Sequence, residues 1–185
     1  MPSFTKKAIL ESFLHIAAKK PLEKITVRDI VDECGINRNT FYYYFQDIYA
    51  VLEELSAAIE TETLDSTDLG DTLSTLFLNL TAFFSQHPRA MRNILASLGR
   101  DGVERYLGGV LNELILRILT ETGEDQLLSP SLRKTTVDFI RHAFLGILVD
   151  WVREGNTATA ERLASELRTV THGIFQGLHQ SDKKA

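Results

Sequence analysis

The sequence predicts an all-α fold, a three-helix head followed by a longer helical body, with about nine helices in all. Three observations carry this. Apolar residues recur at spacings of three and four along nearly the whole chain, and no run shows the alternation of a half-buried strand. Helix punctuation is regular: Pro21, Gly35, His87-Pro88, Gly99, Gly123, Pro130 and Gly155-Asn156-Thr157 cut the periodic stretches into helix-sized pieces. A length of 185 residues at 44% apolar content is enough for one sizeable core, or for a small domain and a larger one.

The first helix is expected from Thr5, its N-cap, to about Lys20, with Ile9, Phe13, Ile16 and Ala17 on one face and Pro21 as the stop. Thr26 and Asp29 then stand at N-cap and N3, a capping box with Asp in place of Glu, and Ile25 and Ile30 have the spacing of a hydrophobic staple. Val27, Ile30, Val31 and Cys34 make one apolar face about two turns long, and Gly35 follows where a left-handed residue is needed. Asn37 can cap a third helix within about three residues of that glycine.

The two faces of this third helix differ. Ile36, Phe41 and Phe45 can point at the core, whereas Arg38, Asn39, Tyr42 and Tyr43 share the other side. Two short helices around a Gly turn match the helix-turn-helix, whose second helix lies in the DNA major groove. The residue types suit that place: the Arg38 fork pairs with guanine, the Asn39 amide with adenine, and the hydroxyls of Thr40, Tyr42 and Tyr43 with phosphate oxygens. A helical hairpin with a solvated polar face has the same local pattern.

The stretch TVRDIVDECGINRNTFYYYF, from Thr26 to Phe45, resembles the DNA-binding signature of the TetR family of transcriptional regulators. In that signature T-x-x-D-I-x-x-x-x-G-(V/I)-(S/N) precedes a short helix ending in (L/F)-Y-x-(H/Y)-F. The resemblance is strong over roughly Lys6 to Leu55 and architectural beyond it. It implies phosphate or base contacts from Arg28, Asn37, Arg38, Asn39, Thr40, Tyr42 and Tyr44, to which the reading of the polar face adds Tyr43. Two departures stand out. The lysine usual at the start of the fourth helix is replaced around Ile48, with Lys24 or Lys6 as substitutes for that phosphate anchor, and PLEKIT replaces the usual aromatic-Gly pair. PLEKIT together with FYYYF resembles a branch that includes regulators of dihydroxyacetone utilisation, some of which answer to a protein partner.

Beyond the head, Asp47 can cap a fourth helix running to about Thr63, and Leu64 to Asp71 is polar enough to be a break. Further helices are expected at about 71 to 86, 88 to 98, 101 to 122, 130 to 154 and 158 to 179. The last two carry wide apolar stripes, including Phe144, Leu148 and Trp151 on one and Leu167, Val170 and Ile174 on the other. Such stripes either close the body's own core or form a dimer surface. The resemblance favours the dimer, because family members pair these helices across a two-fold axis. A two-fold dimer would set two recognition helices about one DNA turn apart, matching a palindromic operator on double-stranded DNA. The resemblance also implies an effector pocket in the body for a small hydrophobic molecule, with Phe77, Phe84, Met91, Tyr106, Phe139 and His142 as candidate lining residues.

Charge and composition narrow the function. The net charge is −5, but the first 50 residues hold seven lysines and arginines against six carboxylates, a net of +1 that leaves −6 for the remainder. An acidic body behind a mildly basic head orients the head toward a polyanion. No phosphate-binding glycine loop, metal-ligand pattern or nucleophile motif occurs; His172 and His179, seven residues apart on a helix, stand about 10 Å apart, too far for one ion. An enzyme, a metal site or another cofactor is therefore not expected. Cys34, the single cysteine, is expected in the core and excludes an intrachain disulfide. No signal-peptide pattern or apolar run of roughly 18 residues occurs, so a cytoplasmic protein without a membrane partner is expected. The expected layout is a DNA-binding domain at 1–47, an effector-binding and dimerisation domain at 48–180 and a disordered tail at 181–185. The function expected is a homodimeric, ligand-responsive repressor. The alternatives are a DNA-binding regulator controlled by a partner protein with no small-molecule ligand, and a helical protein-interaction module.

Overall fold

The computed structural model describes residues 4–60, 69–121, 123, 128–155 and 159–182. The described residues are helical with no strand among them, so the all-α fold is observed. Helix α1 (Phe4–Ala17) buries Ile9, Phe13, Leu14, Ile16 and Ala17. It includes Thr5, the expected cap, within its first turn, and it ends three residues before Lys20. A 3-10 turn, Leu22–Lys24, bridges to α2 (Val27–Cys34). The Thr26 and Asp29 capping box forms in full, and Gly35 ends the helix at φ 71°. Helix α3 (Arg38–Tyr44) starts at Asn37, whose side-chain oxygen accepts from the backbone N–H of Thr40 at 2.8 Å. Phe41 and Phe45 fill the space between these helices.

Helix α4 (Ile48–Glu60) is capped by Asp47, whose carboxylate accepts from the N–H groups of Tyr49 and Ala50 at 2.8 and 2.9 Å. Most of the break expected at 64 to 71 lies outside the described residues, but its last three residues already belong to α5 (Leu69–Gln86). Helix α6 (Pro88–Val103) opens with proline in its first turn and contains Gly99 at φ 60°, ψ −168°, a sharp kink where the sequence predicted a boundary. A five-residue π-helical segment, Glu104–Gly108, then leads into α7 (Gly109–Glu121). That segment was not expected. The body closes with α8 (Pro130–Arg153) and α9 (Ala160–Asp182). Because α9 continues through Ser181 and Asp182, the expected disordered tail at 181–185 loses its first two residues to helix; 183–185 lie outside the described residues.

Helix α5 lies along α9. Gly70 permits that approach: a Cβ there would stand 2.7 Å from the His172 ring, and Arg168 and Asp71 close the same contact with an ion pair at 2.6 Å. At the centre of the body Phe77 meets Phe144 edge-on at 5.9 Å and Trp151 at 6.5 Å. This corrects the expected place of Phe144, Leu148 and Trp151. All three are buried inside the protomer and not on an outward dimer face. The reason is that α8 carries apolar residues on most of its circumference, so periodicity alone does not say which stripe faces the core.

Candidate nucleic-acid interface

The local chemistry of α2 and α3 determines which polar groups of the head remain outward. Asp29 is tied to Lys20 at 2.6 Å and to the backbone N–H of Thr26 at 2.8 Å, and these contacts, Lys20 first, hold its carboxyl at about 2. His15 of α1 pairs with Glu33 of α2. Burial pushes the Cys34 thiol up; the residue is half-buried against the core rather than within it. The scaffold beneath α3 is thus fixed by caps, ion pairs and packing.

On that scaffold Arg38, Asn39, Tyr42 and Tyr43 come together on one exposed face, with Tyr42 and Tyr43 exposed to 55% and 82%. Arg38 has no ion pair among the described residues. Asn37 and Thr40 lie at the start of the same helix, but the Asn37 oxygen is committed to the cap and also accepts from the Thr40 hydroxyl at 3.1 Å, leaving the amide N–H groups as outward donors. Arg28 projects from α2 and is balanced by Asp32 at 3.5 Å. Tyr44 is half-buried and meets the Tyr43 ring edge-on at 4.9 Å, so it supports the face more than it extends it. Lys6, one substitute for the missing phosphate anchor, is held by Glu54 at 2.7 Å and bridges α1 to α4 instead; Lys24 stays exposed on the 3-10 turn.

The expected effector residues separate into four places. Phe84, Met91 and Tyr106 do line one interior cavity with Leu52, Leu55 and Ser56, but its volume is about 50 Å³. Phe77 lies outside it, in the aromatic core. Phe139 is corrected outright: it is 58% exposed and lines an outer apolar groove with Leu167, Val170 and Ile174, residues expected at the dimer surface. His142 sits on the rim of a separate pocket of about 230 Å³ between α6 and α8, with its Nε2 3.2 Å from Glu104. Two contacts between body and head were missed by sequence reasoning. The Asn93 amide of α6 donates to the Ala17 carbonyl at 2.8 Å, and the Ser97 hydroxyl accepts from the Leu22 N–H at 3.1 Å. No sequence signal marks them, since the partners lie 76 and 75 residues apart.

No described helix is long and apolar enough to cross a membrane, and no group of three metal-ligating side chains occurs among the described residues. Known proteins place this architecture. Residues 9–55 match the family model described as bacterial regulatory proteins of the tetR family, and residues 71–173 match a transcriptional regulator C-terminal region of the same family. A 57-residue segment is 33% identical to YvdT, an uncharacterized HTH-type transcriptional regulator of Bacillus subtilis, and spans 31% of this chain and 29% of that protein. Over nearly full length the fold is similar to a Syntrophomonas wolfei protein described as a TetR-family regulator, at 18% identity and a TM-score of 0.72, covering 96% of this chain and 98% of that one. It is also similar to the dihydroxyacetone kinase operon activator DhaS, at 18% identity and a TM-score of 0.69, covering 94% and 97%. Two family models, over the head and most of the body, make this chain a member of the TetR family of DNA-binding, non-enzymatic transcriptional regulators.

Proposed function

We propose that the chain represses transcription as a homodimer on a palindromic operator and is released by an effector acting on its C-terminal body. The exposed face of α3 carries this reading. Arg38 and Asn39 supply paired donors and acceptors for base edges, while Arg28, Asn37, Thr40, Tyr42, Tyr43 and Tyr44 supply or support contacts to phosphates. A single head offers few such contacts, and its first 50 residues carry a net charge of only +1, so two heads on one duplex give the specific contacts that long-range attraction does not.

The second copy fits the outer groove of α8 and α9. Phe139 and Val170 expose 58% and 59% of their surface there beside Ala143, Ile147 and Leu167, an apolar patch that a two-fold pairing of the same helices would cover. The layout proposed is a DNA-binding domain at 1–47 and a dimerisation and effector domain at 48–180, in a cytoplasmic protein. A second reading, control by a partner protein without a small ligand, draws support from the interior cavity, which at about 50 Å³ is far below the ~300–1,000 Å³ of drug-sized sites.

Selection of bound duplexes from a random library by the full chain tests the operator reading. An inverted repeat with half-sites about one helical turn apart is expected. Failure to enrich any repeat, with retained binding to a protein partner, favours an interaction module instead. A reporter driven by the selected site then reads the sign of regulation.

A further inference from the structure

The pocket between α6 and α8 differs in chemistry from the interior cavity. Its floor is apolar, made by Leu95, Val103 and Leu145, and its volume is about 230 Å³. Its rim is charged. Glu104 binds Arg141 directly there, which Asp138 shares at 2.9 Å, and the His142 Nε2 lies 3.2 Å from the Glu104 carboxylate. Arg100 and Arg153 approach the same opening from the two helices, are exposed, and have no ion pair among the described residues. Asp150 is the single acidic group of the lining outside the Glu104 cluster, so two guanidinium groups share the opening with one carboxylate that Arg141 does not bind.

We infer that this pocket binds a small amphiphilic anion, its carboxylate held by Arg100 and Arg153 and its apolar tail laid on Leu95, Val103 and Leu145. The volume fits a molecule below drug size, since drug-sized sites run to ~300–1,000 Å³. The Gly99 kink shapes this opening: with φ at 60° the backbone turns out of the helical path beside Arg100 and Leu95. Helix α6 is also the element that holds the head, through Asn93 on Ala17 and Ser97 on Leu22. A ligand bearing on the pocket wall therefore bears on the helix that positions α1 and the turn before α2. The inference rests on the effector-responsive reading above and names the ligand class for it.

The test is calorimetric titration of the full chain with octanoate, 1-octanol and octylammonium, followed by DNA binding with and without octanoate. Octanoate is expected to bind at least about tenfold more tightly than either analogue. The variant Arg100→Gln/Arg153→Gln, with both changes at exposed positions, is expected to lose that preference while keeping its helical dichroism. Equal binding of all three probes, no binding of octanoate, or an unchanged preference in the double variant overturns the inference. Charge-selective binding that leaves DNA affinity unchanged sustains the site and overturns the effector reading. In the variant Asn93→Ala/Ser97→Ala, octanoate is expected to bind as in the wild type and to shift DNA affinity less.

Discussion

Asn93 in the body donates to the carbonyl of Ala17, the last residue of α1, at 2.8 Å, so the end of the first helix is fastened to α6. Ser97, one turn on, accepts from Leu22 on the next piece of chain at 3.1 Å. The head is thus held where α1 gives way to the turn that leads into α2.

Replacing Asn93 by Ala removes the side-chain donor from the carbonyl of Ala17, a residue with no exposed surface. The expected loss of stability is about 1–3 kcal/mol, the cost of leaving a buried acceptor without its donor. Amide exchange around Leu22–Lys24 should quicken more than exchange in the core of α8. Denaturant titration together with hydrogen exchange checks both, and uniform quickening would argue against a local fastening.

Asp29 gives the fold a defined acid response. Lys20 and the Thr26 cap hold its carboxyl at about 2, below the ordinary 3.8. A depressed carboxylate stabilises the fold fully above its unfolded value, and that contribution is lost as pH falls through the folded one. The wild type should therefore exceed Asp29→Asn in stability by a constant margin above about pH 5, and the margin should close between about pH 4 and pH 2. Chemical denaturation of both proteins across that window provides the measurement.

Phe139 and Phe144 separate the roles of α8. Phe144→Ala opens a cavity against Phe77 and should cost about 3–5 kcal/mol. Phe139→Glu, at a position 58% exposed, should leave the protomer folded and abolish the dimer in sedimentation equilibrium. A Phe139→Glu protein that still sediments as a dimer would move the proposed two-fold interface away from this groove.

Which features were legible in the sequence follows the range of the forces involved. The Thr26–Asp29 box, Gly35, the Asn37 cap, the Asp47 cap and the Gly99 break each depend on a few adjacent residues, and all of them form. Phe41 and Phe45, buried on the other side, fix which face of α3 is outward, so Arg38, Asn39, Tyr42 and Tyr43 were readable as one exposed set. Phe139 and Phe144 were assigned to the wrong sides of α8 because a helix apolar on most of its surface carries no preferred face until its neighbours are known. The π-helical segment at Glu104–Gly108 was unreadable for a related reason. The segment packs on Arg141, which binds Glu104 and comes from a helix 37 residues away.

Arg38 is the residue on which the proposed recognition turns. Fluorescence anisotropy of the wild type and Arg38→Ala against labelled DNA from upstream of the chain's own gene, with scrambled competitor over a salt series, measures its role. Saturable wild-type binding that survives competitor near about 0.15 M salt with two protomers per site is expected, and Arg38→Ala should lose about 1–3 kcal/mol with relaxed base preference. Tyr42→Phe, by contrast, should weaken all sequences alike. Unchanged affinity and selectivity in Arg38→Ala would contradict the placement of this face of α3 in the major groove.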